Sequence, residues 1–176
     1  PVKVNCVVQR GVNEHQIPKL VRKFRGTGVI VRFIEFMDVG NTNGWTRGQV
    51  VPTSEIIDFL SNEFDLTPLA KKSASDVASR WAHSDGTGEI GFISSVTQPF
   101  CGDCVRARLS SDGKFFTCLF TTLGHDMSAL IRSGRETEEL TNSIEEVWSA
   151  RKDRYSEERS SGAISLPRVE MSYIGG

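Results

Sequence analysis

Val29-Ile30-Val31-Arg32-Phe33-Ile34-Glu35-Phe36-Met37 decides how this chain folds. Arg32 interrupts an almost wholly apolar run, the pattern of a parallel strand covered on both faces. Upstream, residues 2–9 alternate, with Val2, Val4, Cys6 and Val8 on one face and Lys3 and Asn5 on the other. Between the two runs, Ile17, Leu20, Val21 and Phe24 recur at helical spacing. Asn13 with Gln16 resembles an N-cap and its reciprocal partner, and Pro18 falls where the first turn tolerates it. Gly26-Thr27-Gly28 closes the helix near Arg25, so the segment reads as one βαβ unit. The two cations then stand out, because a barrel interior is filled by branched apolar side chains. Lys3 and Arg32 on inward faces would point to a lumen that holds an anionic ligand; a solvated edge is the plainer alternative.

Residues 38–48, rich in Gly and Asn, form a loop at the C-terminal end of that strand, the functional end in such architectures. Trp45 there reads as a packing residue before a lid anchor. Pro52-Thr53-Ser54 caps a helix over 55–63, and 66–70 is a short strand before a polar stretch, 71–79. From residue 80 the pattern turns antiparallel. Residues 80–83 and 89–96 flank a Gly-rich turn, with His83 as an exposed strand residue. Residues 104–109 and 114–120 flank Ser110-Ser111-Asp112-Gly113, where Asp-Gly is a strong hairpin signal. A short helix over 125–133 and a longer one over 136–155 follow, the latter with Leu140, Ile144, Val147 and Trp148 on one side. Residues 156–162, charged and serine-rich, read as mobile.

Cys101-Gly102-Asp103-Cys104, with Arg106 and Arg108 just after it and Cys118 beyond, carries the chemistry. Two cysteines separated by two residues can turn both sulfurs to one point, and the predicted hairpin returns Cys118 beside them. Three thiolates suit an iron–sulfur cluster with one open iron, or a zinc ion with a fourth ligand, for which Asp103 and His125 are candidates. Two arginines two apart on a strand share a face, and paired guanidinium groups beside a metal suit a phosphate or a purine edge. On spacing alone, cluster and zinc stay open.

Composition bounds the rest. The 176 residues are 38% hydrophobic and 24% charged, with a net charge of −1, which lacks the basic footprint of a nucleic-acid binder. No apolar run reaches membrane-spanning length and no signal peptide opens the chain, which predicts a cytoplasmic protein off the membrane. Four cysteines in such a chain argue for reduced thiols or metal rather than a disulfide framework. A strand starting at Val2 suggests a missing neighbour.

Residues 31–37, Pro99-Phe100-Cys101-Gly102-Asp103-Cys104 with both arginines, Asp112-Gly113-Lys114, Cys118-Leu119-Phe120 and the terminal Gly175-Gly176 together resemble the C-terminal half of the MoaA family. These are the GTP 3′,8-cyclases of molybdenum cofactor biosynthesis, radical S-adenosylmethionine enzymes. The resemblance implies an α/β fold: the last part of an incomplete (βα) barrel over 1–70, then, over 71–176, an antiparallel hairpin region and C-terminal helices. It implies that Cys101, Cys104 and Cys118 hold a second 4Fe–4S cluster facing the purine of GTP. By the same match Lys3, Arg32, Arg106, Ala107 and Arg108 contact GTP, Met37 lies at the S-adenosylmethionine pocket, and Gly175 and Gly176 reach into the active site. In the family a further 4Fe–4S cluster cleaves S-adenosylmethionine to the radical that cyclises GTP to 3′,8-cyclo-7,8-dihydro-GTP.

The family's N-terminal CxxxCxxC motif is absent here, and Val105 and Ala107 replace bulkier or more polar residues. The chain alone is therefore expected to be inactive, with the N-terminal part of the polypeptide as its missing partner. Exposed barrel edges predict self-association, such as a homodimer. The alternatives are a zinc-binding structural or interaction module and another radical enzyme with an auxiliary cluster.

Overall fold

The computed structural model describes residues 1–159 and 169–174, which divide into two compact units. The first comprises Pro1–Met37 and Trp45–Cys104; the second comprises Asp38–Gly44 and the chain from Val105 onward.

The first unit is built on a mixed five-stranded sheet. Its strands are β1 (Lys3–Val8), β2 (Ile30–Glu35), β3 (Leu66–Leu69), β4 (Ser79–His83) and β5 (Glu89–Ile93), in the order β1-β2-β5-β4-β3. β1 and β5 both run parallel to β2, whereas β4 is antiparallel to β5 and β3. The change of sense near residue 80 is as the sequence predicts. Helices α1 (Ile17–Phe24) and α2 (Thr53–Ser61) bring Ile17, Val21, Ile56 and Leu60 into one core with Val8, Val31, Phe33, Ile90 and Phe92. Those strand residues share a single face, because side chains alternate along a strand. Phe33 and Phe92 are paired in register and their rings stack at 6.1 Å, with Trp81 edge-on to Phe92 at 6.3 Å.

Two sequence expectations are corrected here. Asn13 does not cap the helix. Its side chain instead accepts the Gln9 N–H at 2.8 Å and donates to the Val7 carbonyl at 2.8 Å, pinning the end of β1, and a 3₁₀ turn at Glu14–Gln16 leads into α1. His83 is buried rather than exposed, at 4% exposure, edge-on to Phe64. Burial and the Arg25 charge push its imidazole below the ordinary value, against a weaker upward pull from Asp85.

In the second unit a three-stranded antiparallel sheet runs β6 (Arg108–Leu109), β7 (Lys114–Phe116), β8 (His125–Asp126). The predicted hairpin is present but shorter than residues 104–120. Gly113 takes φ +84, the left-handed turn that only glycine adopts without strain, and Ser110 Oγ closes the turn on Asp112 and on the Lys114 N–H. The segment predicted as a helix from residue 125 opens with β8, after which Asp126 caps α3 (Met127–Arg132) through the Ala129 N–H at 3.0 Å. The long helix also ends early. α4 is Thr137–Ala150; Arg151 is extended, and the short α5 is Tyr155–Glu158. Phe116, Phe120, Met127 and Ile174 are buried in this unit. Asp38 pairs with Arg159 at 2.8 Å and accepts the Tyr155 hydroxyl at 2.7 Å, while Tyr155 stacks on Phe120 at 4.4 Å. Among the described residues no helix is long and apolar enough to cross a membrane.

Candidate functional site

With α1 and α2 packed on one face of the five-stranded sheet, the opposite face carries most of its charged side chains, although Ile93 of β5 is buried there as well. Along it lie Lys3 and Asn5 of β1, Arg32 of β2, Glu89 and Gly91 of β5 and Arg80 of β4, in adjoining register. Lys3 and Asn5 are exposed and Arg32 is half-buried. Arg32 donates Nε–H to Asn5 Oδ1 at 2.8 Å. Its aliphatic stem crosses Gly91 so closely that a Cβ there would sit 2.9 Å from Arg32 Cγ. Arg80 and Glu89 are paired at 2.7 Å, and that contact holds the Glu89 carboxyl below its usual range. The two sequence-singled cations thus share a face that is not the core face.

At the C-terminal end of β2 the decisive residue is one that sequence reasoning missed. Glu35 is 1% exposed, yet both carboxylate oxygens are occupied. Oε2 accepts the N–H groups of Val96 and Thr97, each at 2.8 Å; Oε1 accepts the Thr53 N–H at 2.9 Å and the Thr97 hydroxyl at 2.5 Å. The available signal was a carboxylate on the core face of an apolar strand. Met37, half-buried, follows two residues later.

The thiols come from both units. In the first, the Cys104 N–H bonds to the Cys101 carbonyl at 3.2 Å, a turn that puts the two half-buried cysteines close along the chain. Cys118, also half-buried, belongs to the second unit, as do Arg106, Ala107 and Arg108. Arg106 and Ala107 are exposed and precede β6; only Arg108 is in the strand, so strand geometry does not by itself set the two arginines on one face. Of the residues suggested as fourth ligands, Asp103 is exposed beside Cys104 and His125 is exposed in β8. Three thiols match zinc or an iron–sulfur cluster in donor type. Among the described residues of either unit taken alone, no group of three or more His, Cys, Asp or Glu side chains surrounds a point that could hold a metal ion. Cys6 stands apart on β1, where burial pushes its thiol up and makes it a poor nucleophile or ligand. Gly175 and Gly176 lie outside the described residues; just before them Ile174 is buried and the Tyr173 hydroxyl donates to Asp112 at 2.6 Å.

Fold and side chains define a mixed α/β protein with a cationic sheet face and a cysteine turn. Residues 29–157 match the family described as Molybdenum Cofactor Synthesis C. The chain belongs to that family. It is 49% identical over 175 residues to a GTP 3′,8-cyclase of Xanthomonas campestris pv. campestris (strain B100), covering 99% of this chain and 51% of the relative. It is 45% identical over 179 residues to the Staphylococcus carnosus GTP 3′,8-cyclase, covering 99% and 53%. The Acidothermus cellulolyticus GTP 3′,8-cyclase is 43% identical over 201 residues, covering 100% and 56%. The chain spans about half the length of the curated relatives it matches.

Proposed function

We propose that this chain is the C-terminal part of a GTP 3′,8-cyclase of molybdenum cofactor biosynthesis, supplying its GTP site and the ligands of an auxiliary 4Fe–4S cluster. In this reading residues 1–70 are the closing part of a partial barrel, and residues 71–176 carry the cluster motif. The observation that carries it is Arg32, laid across Gly91 and held by Asn5 on the sheet face away from both helices, with Lys3 on the same face. A guanidinium fork and an ammonium on an open face suit a triphosphate, which needs several donors and no bulk.

Cys101, Cys104 and Cys118 would hold the cluster, and when bound it would offer an open iron to the purine. Arg106, Ala107 and Arg108 are placed by sequence between the thiols. Met37 would border S-adenosylmethionine and Gly175-Gly176 would enter the site. The remaining groups of the full enzyme, including the ligands of the further, S-adenosylmethionine-cleaving 4Fe–4S cluster, would come from the other half of the length that the relatives have. What these residues contribute is placement: they bind charge, orient the nucleotide and exclude water, while the radical chemistry belongs to the cofactors. Relatives named as cyclases do not favour the zinc-module alternative.

Anaerobic reconstitution with iron and sulfide, then titration of GTP into the wild type and Arg106→Ala, tests this. Stoichiometric iron and sulfide with visible absorbance are expected, and a loss of about ten- to 150-fold in GTP affinity on removing one charge-assisted contact. Stoichiometric zinc with no GTP affinity would overturn it.

A further inference from the structure

We infer that Glu35 is a positioning residue for the Cys101–Cys104 turn. The inference rests on the reading above for what the thiols hold, though not for the contact itself. The Glu35 carboxylate fastens three pieces of chain at once: the end of β2, the start of α2 through Thr53, and the segment after β5 through Val96 and Thr97. That last segment is held by three more bonds. The Ser95 hydroxyl donates to the Glu35 carbonyl at 3.1 Å, and the Gln98 N–H bonds to the Ser94 carbonyl at 3.1 Å. Ser94 in turn donates its hydroxyl to Thr53 Oγ1 at 2.8 Å. Only Gln98, Pro99 and Phe100 separate Thr97 from Cys101, and Pro99 has a fixed φ. The start of the cysteine turn therefore inherits its place from a carboxylate buried in the core of the first unit.

The chemistry requires this residue type. Three N–H groups and one hydroxyl converge here, and a carboxylate accepts through both oxygens. Glutamine has the same shape but turns an NH₂ toward one pair of donors and leaves them unsatisfied in a buried place. Aspartate is one methylene short of the same reach. Glu35 touches neither a thiol nor the nucleotide face in this arrangement, so it acts through the 94–98 segment.

The test is site-resolved alkylation of the four cysteines in the 176-residue chain, with N-ethylmaleimide and peptide mass spectrometry, on wild type, Glu35→Gln and Thr97→Val. Glu35→Gln should speed labelling of Cys101 and Cys104 by about tenfold, the effect of losing one or two buried bonds on local opening. Cys6 and Cys118 should stay within about twofold. Thr97→Val, which removes only the hydroxyl from the same carboxylate, should give a smaller shift with the same selectivity and decides the matter if Glu35→Gln does not fold. After reconstitution, iron retained per chain should fall in parallel. Equal acceleration at all four cysteines, or none, overturns the inference and leaves Glu35 as an ordinary core group. If the cluster reading is the one at fault, the wild type takes up no iron and sulfide while the selective labelling pattern remains.

Discussion

Replacing Gly91 by alanine should disable Arg32 without changing its identity. The new methyl carbon would lie 2.9 Å from Arg32 Cγ, 3.4 Å from Cδ and 3.6 Å from Cβ, where carbon atoms prefer about 3.5–4.0 Å. Gly91 is in the interior of the sheet, bonded in ladders to β2 and β4, so its backbone is costly to shift. Its φ lies outside the left-handed region, so alanine is tolerated by the backbone itself. The cheaper relief is rotation of the Arg32 side chain, which gives up the 2.8 Å bond to Asn5 at about 0.5–1.5 kcal/mol. The reduced freedom of the unfolded chain returns about 0.4–1 kcal/mol, so the urea midpoint should barely move. GTP affinity should fall by about 1.5–3 kcal/mol, or ten- to 150-fold, as it should in Arg32→Ala. Titration calorimetry of Gly91→Ala, Arg32→Ala and the double variant checks the coupling: the double variant should lose no more than Arg32→Ala alone. Wild-type GTP affinity in Gly91→Ala alongside a loss in Arg32→Ala, or losses that add, would refute the reasoning.

Three further outcomes are expected. The lowered His83 pKa means that the unfolded chain takes up a proton first as pH falls below about 6.5, so stability is fully present above that value and is lost on acidification; His83→Phe should flatten the urea midpoint between pH 7.5 and 5.5. Asp112 is held down to about 2 by the Ser110 and Tyr173 hydroxyls and then Lys114, so its contribution is present above the ordinary carboxylate range and fades as pH falls toward about 2; in Tyr173→Phe, side-chain NMR should find the Asp112 midpoint raised and hydrogen exchange should find residues 169–174 less protected. Phe92, fully buried between Phe33 and Trp81, should cost about 3–5 kcal/mol as Phe92→Ala in urea unfolding, with the Asp112 titration in the second unit unmoved.

What could be read in advance was whatever periodicity carries. The βαβ start, the parallel pairing of residues 2–9 with 29–37, the antiparallel turn of pattern near residue 80 and the Asp-Gly hairpin all follow from apolar spacing and turn chemistry, and all are present. Lys3 and Arg32 stood out because they break patterns that packing alone would keep apolar, and both lie on the sheet face away from the helices. The misses are of another kind. Asn13 was read as a local cap but bonds back to β1; His83 was read as exposed by alternation but packs against Phe64; residue 125 was read as a helix start but first pairs with β7. Asn13 turns to a neighbouring strand end rather than forward to the helix, whereas His83 and His125 depend on partners outside their own segment, to which a local period is blind. Glu35 is the sharpest case, since its four donors come from residues 53, 96 and 97 and no spacing rule connects them.

The sheet separates two duties that proteins often mix. On its helix-covered face, Val31, Phe33, Ile90 and Phe92 bury apolar area worth roughly 1.5–3 kcal/mol per side chain, and stability is set there. On the other face β1 presents Lys3 and Asn5, and the same two strands present Arg32 and Gly91. A period of two makes this separation possible, because adjacent residues of one strand answer to different demands. Glu35 is where the duties meet. It sits on the core face at the last position of β2, and it spends its buried carboxylate on backbone donors of the segment that runs to Cys101. Substitutions on the open face should therefore change ligand affinity with little effect on unfolding, and substitutions in the core the reverse. Glu35 is the position at which both should move together.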